Sequence, residues 1–270
     1  MKNGYAFGSE YVSVEYFLND GCPPNLCGDH CHDKYEITYL ISPVGRYIVE
    51  GSEHKVTRGT LILVNPMSYH NVALDSDSKT EAYTIYFNKK GLPEMVNSLL
   101  DRICEGAEER GLIFPSSLVS EPLADCFERF SLCDRLSGDE RDAYLSAVLS
   151  EIIVLLSAAD GERMRASEDE LGARVARYLN SNIHKNLSLE KLARRFFVSK
   201  YYLCRAFKSY SGISLHAYVN QKRIIYAKQL IESGITASDA AERVGFGDYS
   251  AFYRAYVRIV GHSPTAEHTN

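Results

Sequence analysis

Three histidines and a glutamate, His30, His32, Glu36 and His70, are the residues of this 270-residue chain whose types and spacing suit chemistry. The first three sit in "GDHCHDKYE" (28–36) and have even numbers, so on an unbulged strand, where side chains alternate between faces, they share one face. His70 ends the stretch "GTLILVNPMSYH", in which Gly59 and Pro66 bracket a further strand. Imidazole and carboxylate donors suit a divalent metal. The same groups also suit a polar pocket for an organic ligand, or a set of side chains that satisfy one another. Tyr35, Ile37, Tyr39 and Ile41 are more apolar than Glu36, Thr38, Leu40 and Ser42, which places Thr38 beside Glu36 on the polar face. Cys22, Cys27 and Cys31 add a thiolate alternative, but with four and three residues between them they fit no common zinc spacing.

Elements must carry these residues. From Tyr11 to about Asn88, short alternating or apolar runs such as "YVSVEYFL", "YEITYLI", "RYIVEG" and "AYTIYFN" are broken by Gly, Pro, Asn and Asp, the pattern of an antiparallel sandwich or barrel. From Pro93 the apolar residues recur at three and four residue intervals, which is helical. In "DERDAYLSAVLSEIIVLLSAA", Tyr144, Leu145, Val148, Ile152, Leu155 and Leu156 form one wide stripe, suited to packing on the barrel or to dimerisation. The polar "DGERMRASED" (160–169) reads as a linker. No run of about 18 apolar residues is present and no secretory signal opens the chain, so a cytoplasmic protein with no membrane contact is expected. Seven irregularly spaced cysteines fit reduced thiols better than a disulfide framework.

Charge divides the chain. Residues 1–170 carry 15 Lys+Arg against 29 Asp+Glu, whereas residues 171–270 carry 15 against 6. Only the back end is therefore suited to a polyanion. There, "NLSLEKLARRFFVSKYYLCRAFKSYSG" has the parts of a helix-turn-helix: Ser188 caps a short helix, Phe197 and Val198 turn, and Ser199 caps a second helix with Leu203 and Phe207 inward. Lys200, Tyr201, Cys204, Arg205 and Lys208 are left on the outer face, a basic and aromatic surface for the major groove and its phosphates. Some fifty residues later the arrangement recurs. Thr236 and Asp239 make a capping box, Gly245 ends the helix, and Asp248 caps the next. Phe252 and Tyr256 then face inward, while Tyr249, Ser250, Tyr253, Arg254 and Arg258 face out. Between the two units, about 18 residues of helix span about 27 Å, near the rise of one DNA turn, about 34 Å.

These hundred residues resemble the DNA-binding domain of the AraC family of bacterial transcription regulators. The matching positions run from Leu192, Ala193, Ser199, Leu203, Arg205, Phe207, Lys208 and Gly212 through Tyr218, Arg223 and Ala227. They continue with Ala241, Val244, Gly245, Phe246, Asp248, Ser250, Phe252, Arg254, Tyr256, Gly261, Ser263 and Pro264. The resemblance implies two helices entering successive major grooves, with Tyr201, Cys204, Arg205, Tyr249, Ser250, Tyr253 and Arg254 at the bases. After Pro264 the usual Tyr-Arg pair is replaced by "TAEHTN". The front segment resembles the cupin barrel, often the sensor of that family, and there His30, His32, Glu36, Thr38 and His70 would line an effector pocket, or His30, His32, Glu36 and His70 would hold a divalent metal.

The expected fold is therefore a two-domain α+β chain. Residues 1–90 form a cupin-like antiparallel β-barrel, residues 91–162 a helical packing or dimerisation segment, and residues 163–270 an all-α domain with two helix-turn-helix units. The expected function is a ligand-responsive regulator, without enzymatic activity, that binds double-stranded promoter DNA as a homodimer. Its partners would be a small-molecule effector, a sugar being one candidate, and RNA polymerase. The rival reading is a metal-dependent cupin oxygenase or isomerase with a DNA-binding appendage.

Overall fold

The structure is a computed structural model that describes residues 4–20, 30–42, 45–50, 52–74, 79–105, 111–159, 162–163, 171–185 and 187–265. Cys22, Cys27, most of the expected linker and the last five residues lie outside the described residues. The chain forms two compact units, one from most of the first 164 residues and one built on residues 165–270.

The first unit contains strands β1 (Gly4–Gly8), β2 (Val12–Asp20), β3 (Tyr35–Leu40), β4 (Gly45–Val49), β5 (Ser52–Val56), β6 (Leu61–Val64), β7 (His70–Leu74) and β8 (Lys79–Phe87). Helix α1 (Glu94–Cys104), strand β9 (Gly111–Phe114), helices α2 (Glu121–Arg129) and α3 (Gly138–Ser157) and strand β10 (Glu162–Arg163) follow. Seven strands form one sheet in the order β1-β2-β8-β3-β6-β9-β10, and β5-β4-β7 form another. The described strands thus make two open sheets, not the closed barrel expected from the sequence.

Alternation along β3 and β6 builds two cores, because successive side chains leave a strand on opposite faces. Ile37, Leu61 and Leu63 join a core with Val96 and Leu100 of α1, Phe127 of α2 and the inner side of α3. Leu40, Ile62 and Val64 join a second core with Tyr47, Val49, Val56 and Val72 of the smaller sheet. The large sheet is therefore covered on both faces, which is why β6 reads "LILV" with all four residues buried. The α3 stripe goes the same way: Leu145, Val148, Leu149, Ile152, Ile153 and Leu156 are buried in the unit's own core. Strand β9 falls inside the segment expected to be helical. It is four residues long, too short for periodicity to separate strand from helix. Gly111 has φ +136, and a Cβ there would meet the Leu63 carbonyl oxygen at 2.1 Å, so the β6–β9 pairing needs glycine.

The second unit is all helix: α4 (Leu171–Asn180), α5 (Leu189–Arg195), α6 (Lys200–Ser211), α7 (Leu215–Glu232), α8 (Ala237–Arg243) and α9 (Tyr249–Val260). Their starts follow the expected caps. Ser188 accepts from the Lys191 N–H, Ser199 from Tyr202, Thr236 from Asp239, and Asp248 from both Ser250 and Ala251. Each cap satisfies donors that the first turn of a helix leaves unpaired. Glycines at positive φ end both outer helices, Gly212 after α6 and Gly261 after α9. No helix among the described residues is long and apolar enough to cross a membrane.

Candidate functional site

In the first unit, His30, Glu36 and His70 each offer a ligand atom, and these atoms lie within 4.8 Å of one another, whereas His32, with Cys31 and Asp33, is counted with the second unit. They do not reach this place as one strand face. Strand β3 begins only at Tyr35, and residues 31–34, "CHDK", lack the alternation that would extend it. His30 instead forms an isolated antiparallel bridge with His70, N–H to carbonyl both ways at 3.2 and 3.0 Å, and the two rings meet edge to face at 4.2 Å. Glu36 comes from the start of β3, and His70 opens β7 in the opposite sheet.

Hydrogen bonds fix the two buried members. The Thr38 hydroxyl donates to Glu36 Oε1 at 2.7 Å, and Glu36 Oε2 lies 3.0 Å from His70 Nε2. His70 Nδ1 is 2.9 Å from the Ser68 carbonyl oxygen. A carbonyl can only accept, so Nδ1 carries a hydrogen and Nε2 is the nitrogen turned to the cluster. Glu36 and His70 are closed to solvent, while His30 and His32 are half-buried. Tyr47 completes the wall. It is fully buried, its ring lies nearly parallel to His70 at 6.1 Å, and burial together with the Glu36 carboxylate holds its phenol well above the ordinary value. Sequence reasoning passed over Tyr47 and Ser68; "RYIVEG" alternates clearly, but nothing in it shows which strand it will face. Cys31, buried, is not among the clustered donors.

In the second unit, α6 and α9 present the expected outer residues to solvent: Lys200, Tyr201, Cys204, Arg205 and Lys208 on one, Tyr249, Ser250, Tyr253, Arg254 and Arg258 on the other. Their inner sides, Leu203 and Phe207 in α6 and Phe252 and Tyr256 in α9, are buried. Lys200 Nζ also pairs with Glu190 of α5 at 2.8 Å, an ion pair open to solvent. Among the described residues, Arg205, Lys208, Arg254 and Arg258 form no ion pair. Phe197, expected only as a turn residue, has φ +56 and a ring 94% exposed beside Arg194 and Arg195.

Arg223, a matching position with no role in the sequence reading, proves structural. Its guanidinium donates to the carbonyl oxygens of Ile183, Gly245 and Lys185 at 2.8, 2.9 and 2.6 Å. It thereby ties the turn before α9 to the turn after α4 across the middle of α7.

Comparison with known proteins agrees with this division. A family model described as an AraC-like ligand binding domain matches residues 19–172, and a helix-turn-helix domain model matches residues 192–268. The HTH-type transcriptional regulator YdiP of Escherichia coli is 24% identical over 253 residues, covering 88% of this chain and 80% of that one. The HTH-type transcriptional activator RhaS of Citrobacter koseri is 23% identical over 265 residues, 95% of this chain and 91% of that one. Among solved structures, an apo ToxT variant from Vibrio cholerae matches with a TM-score of 0.46 and 12% identity over 95% of this chain and 96% of its own.

Proposed function

The chain belongs to the AraC family of transcription regulators, a ligand-binding domain followed by a helix-turn-helix domain, and from this premise we propose which residues read DNA and which receive the effector. It is a regulator and not the cupin enzyme that the four ligand residues alone suggested, as its relatives are named. Helices α6 and α9 enter successive major grooves of promoter DNA. Tyr201, Cys204, Arg205, Tyr249, Ser250, Tyr253 and Arg254 face the base edges, and Lys208, Arg258 and the tethered Lys200 lie over phosphates. Arg205 is the strongest reader, because a guanidinium bonds two guanine acceptors at once. The supporting observation is the pair of capped helices, each with a buried inner side and an exposed face carrying two basic residues that form no ion pair among the described residues.

The effector is received at His30, His32, Glu36, Thr38 and His70. Binding there shifts the populations of two states with different DNA affinity, which requires different effector affinity in the two. The protein acts as a cytoplasmic homodimer, with RNA polymerase the downstream partner. A band-shift assay on the promoter nearest the gene tests the reading. Arg205→Ala and Arg254→Ala should each weaken the shifted complex, and unchanged binding in both would overturn the assignment of α6 and α9.

A further inference from the structure

We propose that the second unit carries a ligand site of its own, a cavity between α6 and α7 that takes a small organic anion with an apolar body and whose occupation excludes DNA. The exclusion rests on the reading of α6 above; the cavity does not.

The cavity has a volume of about 450 Å³, within the range of about 300–1,000 Å³ usual for small-molecule sites. It arises from how the two helices meet. Helix α6 ends at Ser211 and α7 begins at Leu215, and they touch through Phe207 and Tyr218, whose buried rings lie 5.2 Å apart at 84°. Beside that contact, Cys204 and Lys208 of α6 and Leu215 and Val219 of α7 border the cavity, and Leu187 and Leu189 close it from the start of α5. The four aliphatic side chains form walls that an apolar ligand body gains by covering.

The rim selects the sign of the ligand. Lys208 and Arg223 stand at the cavity, and no Asp or Glu among the described residues lines it. Lys208 forms no ion pair among the described residues, and the Arg223 guanidinium bonds carbonyl oxygens, which are neutral and leave its charge without a counter-ion. The cap and first residues of α7, Ser214, Leu215 and His216, line the cavity too, and the N-terminal end of an 18-residue helix favours a negative charge. A DNA phosphate would meet the same cations but gain nothing from aliphatic walls, whereas a carboxylate on an aryl or alkyl body uses both. Cys204 and Lys208 belong to the cavity and to the outer face of α6 alike. A bound anion therefore competes with DNA for the Lys208 ammonium, and each ligand lowers the affinity for the other by the same factor.

Full-length protein with the fluorescent anion 2-naphthoate, and the neutral 2-naphthamide as control, tests the site. Naphthoate should slow alkylation of Cys204 in the absence of DNA, and raising its concentration should weaken the DNA complex competitively. The amide should bind at least about tenfold more weakly, since it forgoes charge-assisted hydrogen bonds. Asn220→Phe fills the cavity from a half-buried position on α7, and it should bind DNA as wild type does while naphthoate no longer protects Cys204. His216→Glu leaves the cavity open but puts a carboxylate at its rim, in a first turn where an acid suits the helix. It should weaken naphthoate about fivefold or more, and it keeps the test decisive if Asn220→Phe does not fold. Naphthoate without effect on Cys204, equal binding of acid and amide, or equal binding by His216→Glu and wild type overturns the proposal. So does a folded Asn220→Phe that no longer binds DNA, because the cavity would then seat the duplex. Protection of Cys204 with the DNA complex unaffected overturns the exclusion. Arg205→Ala and Arg254→Ala, run alongside, keep the failures apart: unchanged DNA binding in both removes the reading of α6 and α9 and leaves the cavity standing on Cys204 protection.

Discussion

Glu36 Oε2 and His70 Nε2 lie 3.0 Å apart in a place that solvent does not reach, although the two residues come from different sheets. Each side chain is held from behind, Glu36 by Thr38 and His70 by Ser68. The buried carboxylate and imidazole compensate one another, and breaking a buried pair by removing one partner typically costs about 3–5 kcal/mol. Glu36→Ala should therefore destabilise the first unit by about that amount in urea denaturation. Replacing both by leucine should cost clearly less than the two single changes together. Additive losses would show that the contact carries no coupling.

The outer arginines and lysines should divide by salt dependence. Arg205→Ala should cost about 1–3 kcal/mol of DNA binding and relax the preference at one base pair, with the salt slope little changed. Lys208→Ala, over phosphate, should weaken all sequences alike and reduce the slope by about one. Lys200→Ala should do less than Lys208→Ala, since Glu190 already holds that ammonium at 2.8 Å. Affinity titrations at several salt concentrations on cognate and single-mismatch duplexes distinguish these outcomes. A large slope change for Arg205→Ala would move it to the backbone.

Thiol chemistry maps the same surface. Cys204 is exposed on the outer face of α6, whereas burial pushes the Cys104 thiol up to about 12 and raises those of Cys126 and Cys133. The thiolate is the reactive form, so an alkylating reagent near neutral pH should modify Cys204 well before the other three. Peptide mapping by mass spectrometry measures the order, and cognate DNA should protect Cys204 specifically. Labelling of Cys204 that is indifferent to DNA would place it away from the groove.

The helical half was legible in the sequence because its signals are local. Ser188, Ser199, Thr236 and Asp248 cap their own helices, and Leu203–Phe207 and Phe252–Tyr256 face inward at a spacing that a single helix enforces. The sheet half was legible only in part. His30, Glu36 and His70 lie close together, but by a bridge between two segments and not by parity along one strand. Which strand lies opposite which is a long-range property. "GLIF" therefore gave no sign that it would pair with β6, nor "RYIVEG" that Tyr47 would face His70. The closed barrel failed for a related reason: alternation shows that a strand is buried, not whether the far face meets a sheet or a helix.

Arg223 and Gly245 form the joint on which the second helix-turn-helix depends. Gly245 has φ +88, and a Cβ there would meet the His184 carbonyl oxygen at 2.7 Å and Arg223 Nη2 at 2.9 Å. Gly245→Ala is strained twice, by backbone conformation and by collision, so the loss should exceed the about 1 kcal/mol usual for glycine exchanges. Arg223→Lys keeps the charge but replaces a rigid fork with a single ammonium, which cannot reach three carbonyl oxygens in two separate turns. Burial already lowers the Arg223 pKa, so the carbonyls are the guanidinium's compensation for leaving water. Both variants should loosen the turn before α9 and weaken DNA binding even though neither residue faces the groove. Hydrogen exchange should show faster exchange through α8 and the start of α9 with α6 unchanged. The double variant should lose less than the sum, because each change damages the same joint. Equal loosening of α6 and α9 would mean that Arg223 supports the unit as a whole and not this joint.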